Sequence, residues 1–399
     1  MIKKLWSNQL LKDGTLSIGA KGIFFGILQL CIYPLLSRSM GKAVFGEILT
    51  QLAFVNIFSY SYGESLCNIR VLNQNEDQER TAEYRQLAGI SFIGIIIVLA
   101  GYSIFIVKSG IFRGLMLGLI GALMMLRLYS DSIFKIDINF KKILLSSIFT
   151  SFGYILGYIL YSKGMPWYVV FILGESVAVL YAGIAGKAFK IYRKAGSTYS
   201  AIRKNYASLS ASYLLSYALT NLDRILIGFL INSEAVSVYY AASLYGKTVA
   251  LVVPPVSTVL LSYFSKDTIV ITKKIFRNIV LASLGGILFF FLAGIPVSRV
   301  LVYILYPDFY QETLRIIDIC NLSQIIYYGC SMINMMAFRI CNINFQMKVE
   351  VVYAIVFLVL VISGSKTFGL MGLALGMVIA NLIRFMIFTV LVYKNIRTR

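Results

Sequence analysis

The sequence predicts an all-α protein that crosses a membrane about twelve times, and three observations carry that expectation. The 399 residues are 59% hydrophobic and only 14% charged, with a mean hydropathy of +0.80. A soluble domain holds about 45–50% apolar and about 25% charged residues, so the excess is more than a water-facing protein can bury in one core. The apolar residues gather into windows of about 20, the length that carries a helix across a bilayer core. Lysine and arginine alternate in density from one break between windows to the next.

The windows fall near 14–37, 44–66, 87–107, 111–130, 143–162, 166–186, 207–231, 236–264, 275–297, 312–338, 348–365 and 369–393. Each is bounded by charged residues or by Gly/Pro-marked breaks. The first follows a basic start, "MIKKLWSNQLLKDG", but runs on for a full span without a small-residue cleavage site, so it reads as a retained helix.

The positive charges test the count, because merging or splitting one helix would scramble their alternation. With the first residue on the cytoplasmic side, that side collects 24 of the 37 Lys and Arg, including Lys141, Lys142, Lys187, Lys190, Arg193 and Lys194. The opposite side collects eight, Arg38, Lys42, Lys108, Arg113, Lys163, Arg299, Arg315 and Lys366, and five lie within spans. Both termini are therefore expected in the cytoplasm, in a multi-pass inner-membrane protein. The net charge of +20 is then a matter of topology and calls for no nucleic-acid partner. The richest basic segment, "KAFKIYRKAGSTYSAIRKN", separates spans six and seven. It divides the chain into an expected N-terminal bundle at 1–190, a basic cytoplasmic linker at 191–204 and a C-terminal bundle at 205–399.

Composition also narrows the chemistry. There is no histidine, and the five cysteines, Cys31, Cys67, Cys320, Cys330 and Cys341, show no CxxC spacing, so neither a metal site, a cofactor nor a disulfide framework is expected. The G-x-x-x-x-G-K-[ST] phosphate loop and the G-x-S-x-G elbow are missing, which removes the usual machinery of ATP-driven and hydrolytic enzymes. The protein is expected not to be an enzyme, although membrane enzymes built on Asp, Glu and Arg alone stay open.

What remains is the set of charges inside spans, each costing roughly 2.5–3.5 kcal/mol at a helix centre on insertion scales and expected to face a partner or cavity. Lys247, within "AASLYGKTVALVVPPVSTVLLSYF", lies about twelve residues into its span, roughly 18 Å along the axis, close to the midplane. Arg384 is also deep, and Lys21 stands about a third of the way in. Arg127 and Arg224 are near enough to span ends to snorkel. Asp131 follows Arg127 by four residues, so an ion pair along one helix face is an alternative for both. Asp223 and Arg224 are adjacent and point apart, so their partners come from other helices. Glu175, in the middle of span six, is the acid that packing explains least. Pro254 and Pro255 remove two backbone donors about two turns past Lys247, as a transport hinge or as a packing kink.

Three stretches carry a resemblance. "YPLLSRSMGKAVFGEILTQLAFVNIFSYSYGES" resembles the start of polysaccharide flippases of the Wzx type through Pro34, Arg38, Met40, Gly41, Phe45 and Gly46. "LTNLDRILIGFLINSEAVSVYYAASLYGKTVALVVPPVSTVLLSYFSK" is similar to helices seven and eight of that family, and "FGLMGLALGMVIANLIRF" to its final Gly-x-x-Gly-x-Ala helix. Met40 and Ser237 depart from the family's usual leucine and glycine, which loosens the match to any one subfamily.

The resemblance implies the fold of the multidrug/oligosaccharidyl-lipid/polysaccharide exporter superfamily, two pseudo-symmetric six-helix bundles as in MATE transporters. It implies a flippase for undecaprenyl-diphosphate-linked oligosaccharide in O-antigen or capsule assembly, working beside a polymerase and a chain-length regulator. Lys247, with Arg384 and Lys21, would contact the diphosphate, while Gln29, Asn56 and Tyr217 would meet sugars. Arg224, Asp223, Arg127 and Glu175 would be further cavity charges. The alternatives are a multidrug exporter, whose first helix usually carries an acid where this one has Lys21, a lipid II-type flippase, usually two helices longer, a glycan polymerase, usually with a large outer loop, and a membrane scaffold.

Overall fold

The computed structural model describes residues 15–16, 18–73, 77–186, 199–251, 253, 272–340 and 343–396, and every regular element among them is helical. The helices are α1 (Ile18–Leu72), α2 (Asp77–Gly101), α3 (Ile111–Ile136), α4 (Phe140–Ser162), α5 (Tyr168–Ala185), α6 (Tyr199–Leu230), α7 (Ser233–Thr248), α8 (Lys273–Leu305), α9 (Tyr310–Leu314), α10 (Ile317–Gly329), α11 (Ser331–Ile340) and α12 (Ile343–Asn395).

Two of these are too long for one crossing. A straight helix of the 55 residues in α1 would reach about 80 Å, against a hydrocarbon core of about 30 Å. α1 folds at Gly41, whose φ of 76° and ψ of 165° lie outside the helix, in a region essentially restricted to glycine. α12 folds at Phe368 and Gly369. Its two limbs then pack so closely that a Cβ on Gly364 would sit 2.3 Å from the Gly372 carbonyl oxygen, and one on Gly376 would sit 2.6 Å from that of Leu360. Small residues of this kind let membrane helices approach backbone to backbone. Gly153 of α4 against Gly174 of α5 repeats the device.

The first limb of α1 holds a π-turn at Gly26–Ile32, closed by the Tyr33 N–H on the Leu28 carbonyl. It directly precedes Pro34, whose ring and missing donor would otherwise strain a regular turn. Helix starts are set by side-chain caps: Asn139 accepts from the Lys142 N–H at 3.3 Å, Asn232 from Ala235 at 2.8 Å and Thr272 from Ile275 at 3.3 Å.

Among the described residues, seven helices are long and apolar enough to cross a membrane, or up to eight if the bent pair Pro307–Leu314 and Ile317–Asn334 counts as one span. The twelve predicted spans are thus not all reproduced by that measure, partly because α1 and α12 each cover two of them. Within the predicted span 312–338 the chain turns through 79° between α9 and α10. α6 begins at Tyr199, inside the expected linker, because a helix need not stop where the bilayer does. α7 gives way to a 3₁₀ turn at Val249–Leu251 just past Lys247. Pro254 and Pro255 lie outside the described residues.

The chain forms two compact units, one of residues up to Leu36 with Thr50–Asp223, the other of Ser37–Leu49 with Arg224 onward. The first is built around Leu66, Ile69, Tyr84, Leu87, Tyr129, Ile202 and Tyr206, from α1, α2, α3 and α6. The second has a core of Phe276, Ile279, Ile333, Phe385, Phe388 and Val392, from α8, α11 and α12. The turn of α1 belongs to this second unit. Phe45 packs on Tyr240 and Tyr306, Arg38 donates to the Ile304 carbonyl at 2.5 Å, and Lys42 pairs with Glu234 at 3.1 Å and Glu312 at 2.8 Å.

Candidate functional site

In the second unit, α7 carries Lys247 in its last turn. Its ammonium lies 5.3 Å from the ring centroid of Tyr239 and 5.7 Å from that of Tyr240. The two tyrosines are themselves almost wholly buried. An ammonium against aromatic faces is held by the ring quadrupole, an attraction that grows to about 2 kcal/mol or more once water is excluded. α10 fixes this arrangement from the neighbouring helix: Asn321 accepts from the Gly246 N–H at 2.8 Å, and Gln324 donates to the Tyr239 hydroxyl at 3.0 Å. Gly246 must be glycine for this, since a Cβ would lie 2.7 Å from the Gln324 Cβ and 3.0 Å from the Asn321 carbonyl oxygen.

One turn further along the same face of α10, Tyr327 supports the second cation. Arg384 of α12 lies 4.8 Å above Tyr327, 5.0 Å from Tyr353 and 5.6 Å from Phe388, and it donates to Glu350 at 2.5 Å. Tyr353 donates to Asn381 at 2.8 Å, and Asn381 donates in turn to Ser323 of α10. Asn321, Gln324 and Tyr327 recur every three residues, so one helix face orients both cationic groups.

The first unit has its own buried pair. Arg127 of α3 donates from Nε to Glu175 of α5 at 2.6 Å, Tyr154 of α4 donates to the other Glu175 oxygen at 2.7 Å, and the guanidinium lies 4.8 Å above Phe24. The Glu175 side chain is 1% exposed and that of Arg127 12%. Arg127 is therefore buried, and its hydrogen bond goes to another helix while Asp131 on its own helix adds charge attraction. Nearby polar bonds join Tyr217 to Glu64 and Asn68 to Tyr213.

Of the remaining sequence candidates, Lys21 is exposed on the first limb of α1, while Asp223 is buried and Arg224 half-buried on α6. Gln29 and Asn56 are half-buried on α1. The structure thus brings Lys247 and Arg384 onto one supporting helix and pairs Arg127 with Glu175. Sequence reasoning missed Glu350, at the mouth of span 348–365, and the tyrosines that seat the cations. Their signal was the count of 27 tyrosines, many of them inside apolar windows. Chemically, two cations on aromatic seats inside apolar helices suit an anion that has left water.

No protein-family model matches the sequence, and no curated protein matches it. Solved structures do. A lipid II flippase, MurJ, in an inward closed conformation is similar over 98% of this chain and 87% of its own, with a TM-score of 0.70 at 17% identity. A mutant of the Vibrio cholerae MATE transporter VcmN is similar over 97% and 96%, with a TM-score of 0.65 at 14% identity. An inward-facing multidrug resistance MATE family transporter of the MOP superfamily is similar over 96% and 94%, with a TM-score of 0.61 at 12% identity. The chain has the helical fold these proteins share.

Proposed function

We propose that this protein is a flippase that carries undecaprenyl-diphosphate-linked oligosaccharide from the cytoplasmic to the periplasmic face of the inner membrane, for O-antigen or capsule assembly. The observation that carries the reading is the seat of Lys247 on Tyr239 and Tyr240, beside an Arg384 held on Tyr327. A diphosphate is costly in hydrocarbon, and a preplaced cation offsets that cost during transit through charge-assisted hydrogen bonds. The fold shared with a lipid II flippase and with multidrug transporters supports a membrane-carrier reading and leaves the cargo to the site.

In this account Lys247 takes the diphosphate first, Arg384 and Lys21 contribute charge along the way, and the prenyl chain stays in the bilayer. Glu350 and Glu175 keep Arg384 and Arg127 neutralised between cycles, so that no bare guanidinium is buried. A polymerase and a chain-length regulator would consume the product.

The deciding experiment uses purified protein in proteoliposomes, offered three cargoes in parallel: a polyprenyl-diphosphate oligosaccharide, lipid II and a cationic dye. The proposal expects protein-dependent movement of the first alone. Movement of lipid II instead would assign the chain the cargo named for MurJ, and movement of the dye alone would make it a multidrug exporter.

A further inference from the structure

A second cationic feature lies away from Lys247 and Arg384. Between the start of α8 and the end of α12 is a groove of about 470 Å³, lined by the charged Lys273, Lys274, Arg277 and Lys394 and by the apolar Phe276, Val280 and Val390. That volume is within the range of about 300–1,000 Å³ typical of small-ligand sites. No Asp or Glu is among its described lining residues. In a chain that pairs Arg127, Arg384 and Lys42 with carboxylates, four cations around one groove without an acid are a distinct arrangement.

The groove is amphipathic along its length. Val280 is seven residues beyond Lys273 on α8, about 10 Å deeper along the helix axis. Phe276 forms a buried floor at 1% exposure. Lys273 is fixed over the ring of Tyr393 at 5.2 Å, which holds one cation at the groove rather than letting it swing into water. The first turn of α8 adds the positive end of its helix dipole to the same place. The alternation of Lys and Arg assigns this end of both helices to the cytoplasm. Basic pockets between membrane helices at that level suit phosphate headgroups.

We propose that this groove is a binding site for an anionic glycerophospholipid of the cytoplasmic leaflet. Its phosphate sits among Lys273, Lys274, Arg277 and Lys394, and an acyl chain lies along Phe276, Val280 and Val390. The groove is open on its flank, where Arg277, Val390 and Tyr393 are exposed, so the lipid enters sideways without leaving its leaflet. The site does not depend on the cargo proposed above.

The test titrates full-length protein in neutral detergent with fluorescent phosphatidylglycerol, and with fluorescent phosphatidylcholine as the uncharged control. The Lys273→Gln/Lys274→Gln/Arg277→Gln protein is compared with Lys141→Gln/Arg203→Gln/Lys204→Gln, which removes the same charge from exposed positions of the first unit. The groove variant is expected to weaken phosphatidylglycerol binding by about tenfold or more, and the control by less than about twofold. Val280→Trp, which fills the groove and keeps every charge, is expected to weaken it as well. Equal losses in both triple variants would reduce the effect to general surface attraction and overturn the proposal. So would competition by inorganic phosphate alone, or stronger binding of a short prenyl diphosphate than of phosphatidylglycerol.

Discussion

Arg127 and Glu175 meet at 2.6 Å across two helices of the first unit, with Tyr154 bonded to the far oxygen of the same carboxylate. Each residue read alone is a stray charge within an apolar span, and together they form a neutral, hydrogen-bonded core element. Breaking a buried pair by removing one partner typically costs about 3–5 kcal/mol, while replacing both with apolar residues is often neutral. Glu175→Ala is therefore expected to lower the unfolding midpoint strongly, and Arg127→Leu/Glu175→Leu to recover most of the loss. Thermal unfolding of the purified variants checks this.

The aromatic seat of Arg384 leads to a separate expectation. If the rings of Tyr327 and Tyr353 hold the guanidinium by their faces, removing the Tyr327 ring costs more than removing its hydroxyl. Tyr327→Leu should therefore be less stable than Tyr327→Phe by about 1–2 kcal/mol. The same thermal measurement separates them.

The turn of α1 depends on close backbone contact. A Cβ on Gly46 would lie 1.7 Å from the Ser233 carbonyl oxygen, whereas one on Gly26 would meet nothing within 4 Å. Gly46→Ala should destabilise the protein by about 1–3 kcal/mol through forced backbone shifts, and Gly26→Ala should be close to neutral. Yield of folded protein after solubilisation, followed by thermal unfolding, distinguishes the two.

Lys42, in the turn between the first two predicted spans, has its pKa raised above the ordinary 10.5 by the hydrogen bonds it donates to Glu312 and then Glu234. A raised lysine stabilises most fully below its ordinary pKa, and that contribution disappears as pH rises through the raised value. The Lys42→Met variant and the parent should therefore differ by a constant amount across neutral pH and converge only above about pH 10.5. Unfolding midpoints measured from pH 6 to pH 11 check the sign.

The helices were legible because apolar runs long enough to cross a bilayer stand out against charged breaks. The folds at Gly41 and at Phe368–Gly369 fall at or beside gaps between the predicted windows. The bend between Leu314 and Ile317 was not legible, since no glycine or proline stands there and only Arg315 interrupts the apolar pattern. Depth along the predicted span singled out Lys247, which the structure seats on the rings of Tyr239 and Tyr240. It could not supply Tyr239, Tyr240 or Glu350, because those contacts follow from how helices pack. The i,i+4 spacing of Arg127 and Asp131 suggested a partner on the same helix, and the structure adds a hydrogen-bonded tertiary partner, Glu175.

The proposed mechanism uses a cation seated on aromatic faces in α7 to carry a lipid-linked anion across the membrane. It is tested most directly in cells lacking the protein, by measuring lipid-linked oligosaccharide that reaches the periplasmic face after rescue with wild type, Lys247→Arg or Lys247→Ala at matched membrane abundance. Wild type is expected to restore translocation, Lys247→Arg to restore part of it, and Lys247→Ala to restore none. Equal rescue by Lys247→Ala, or no rescue by wild type, would contradict the claim.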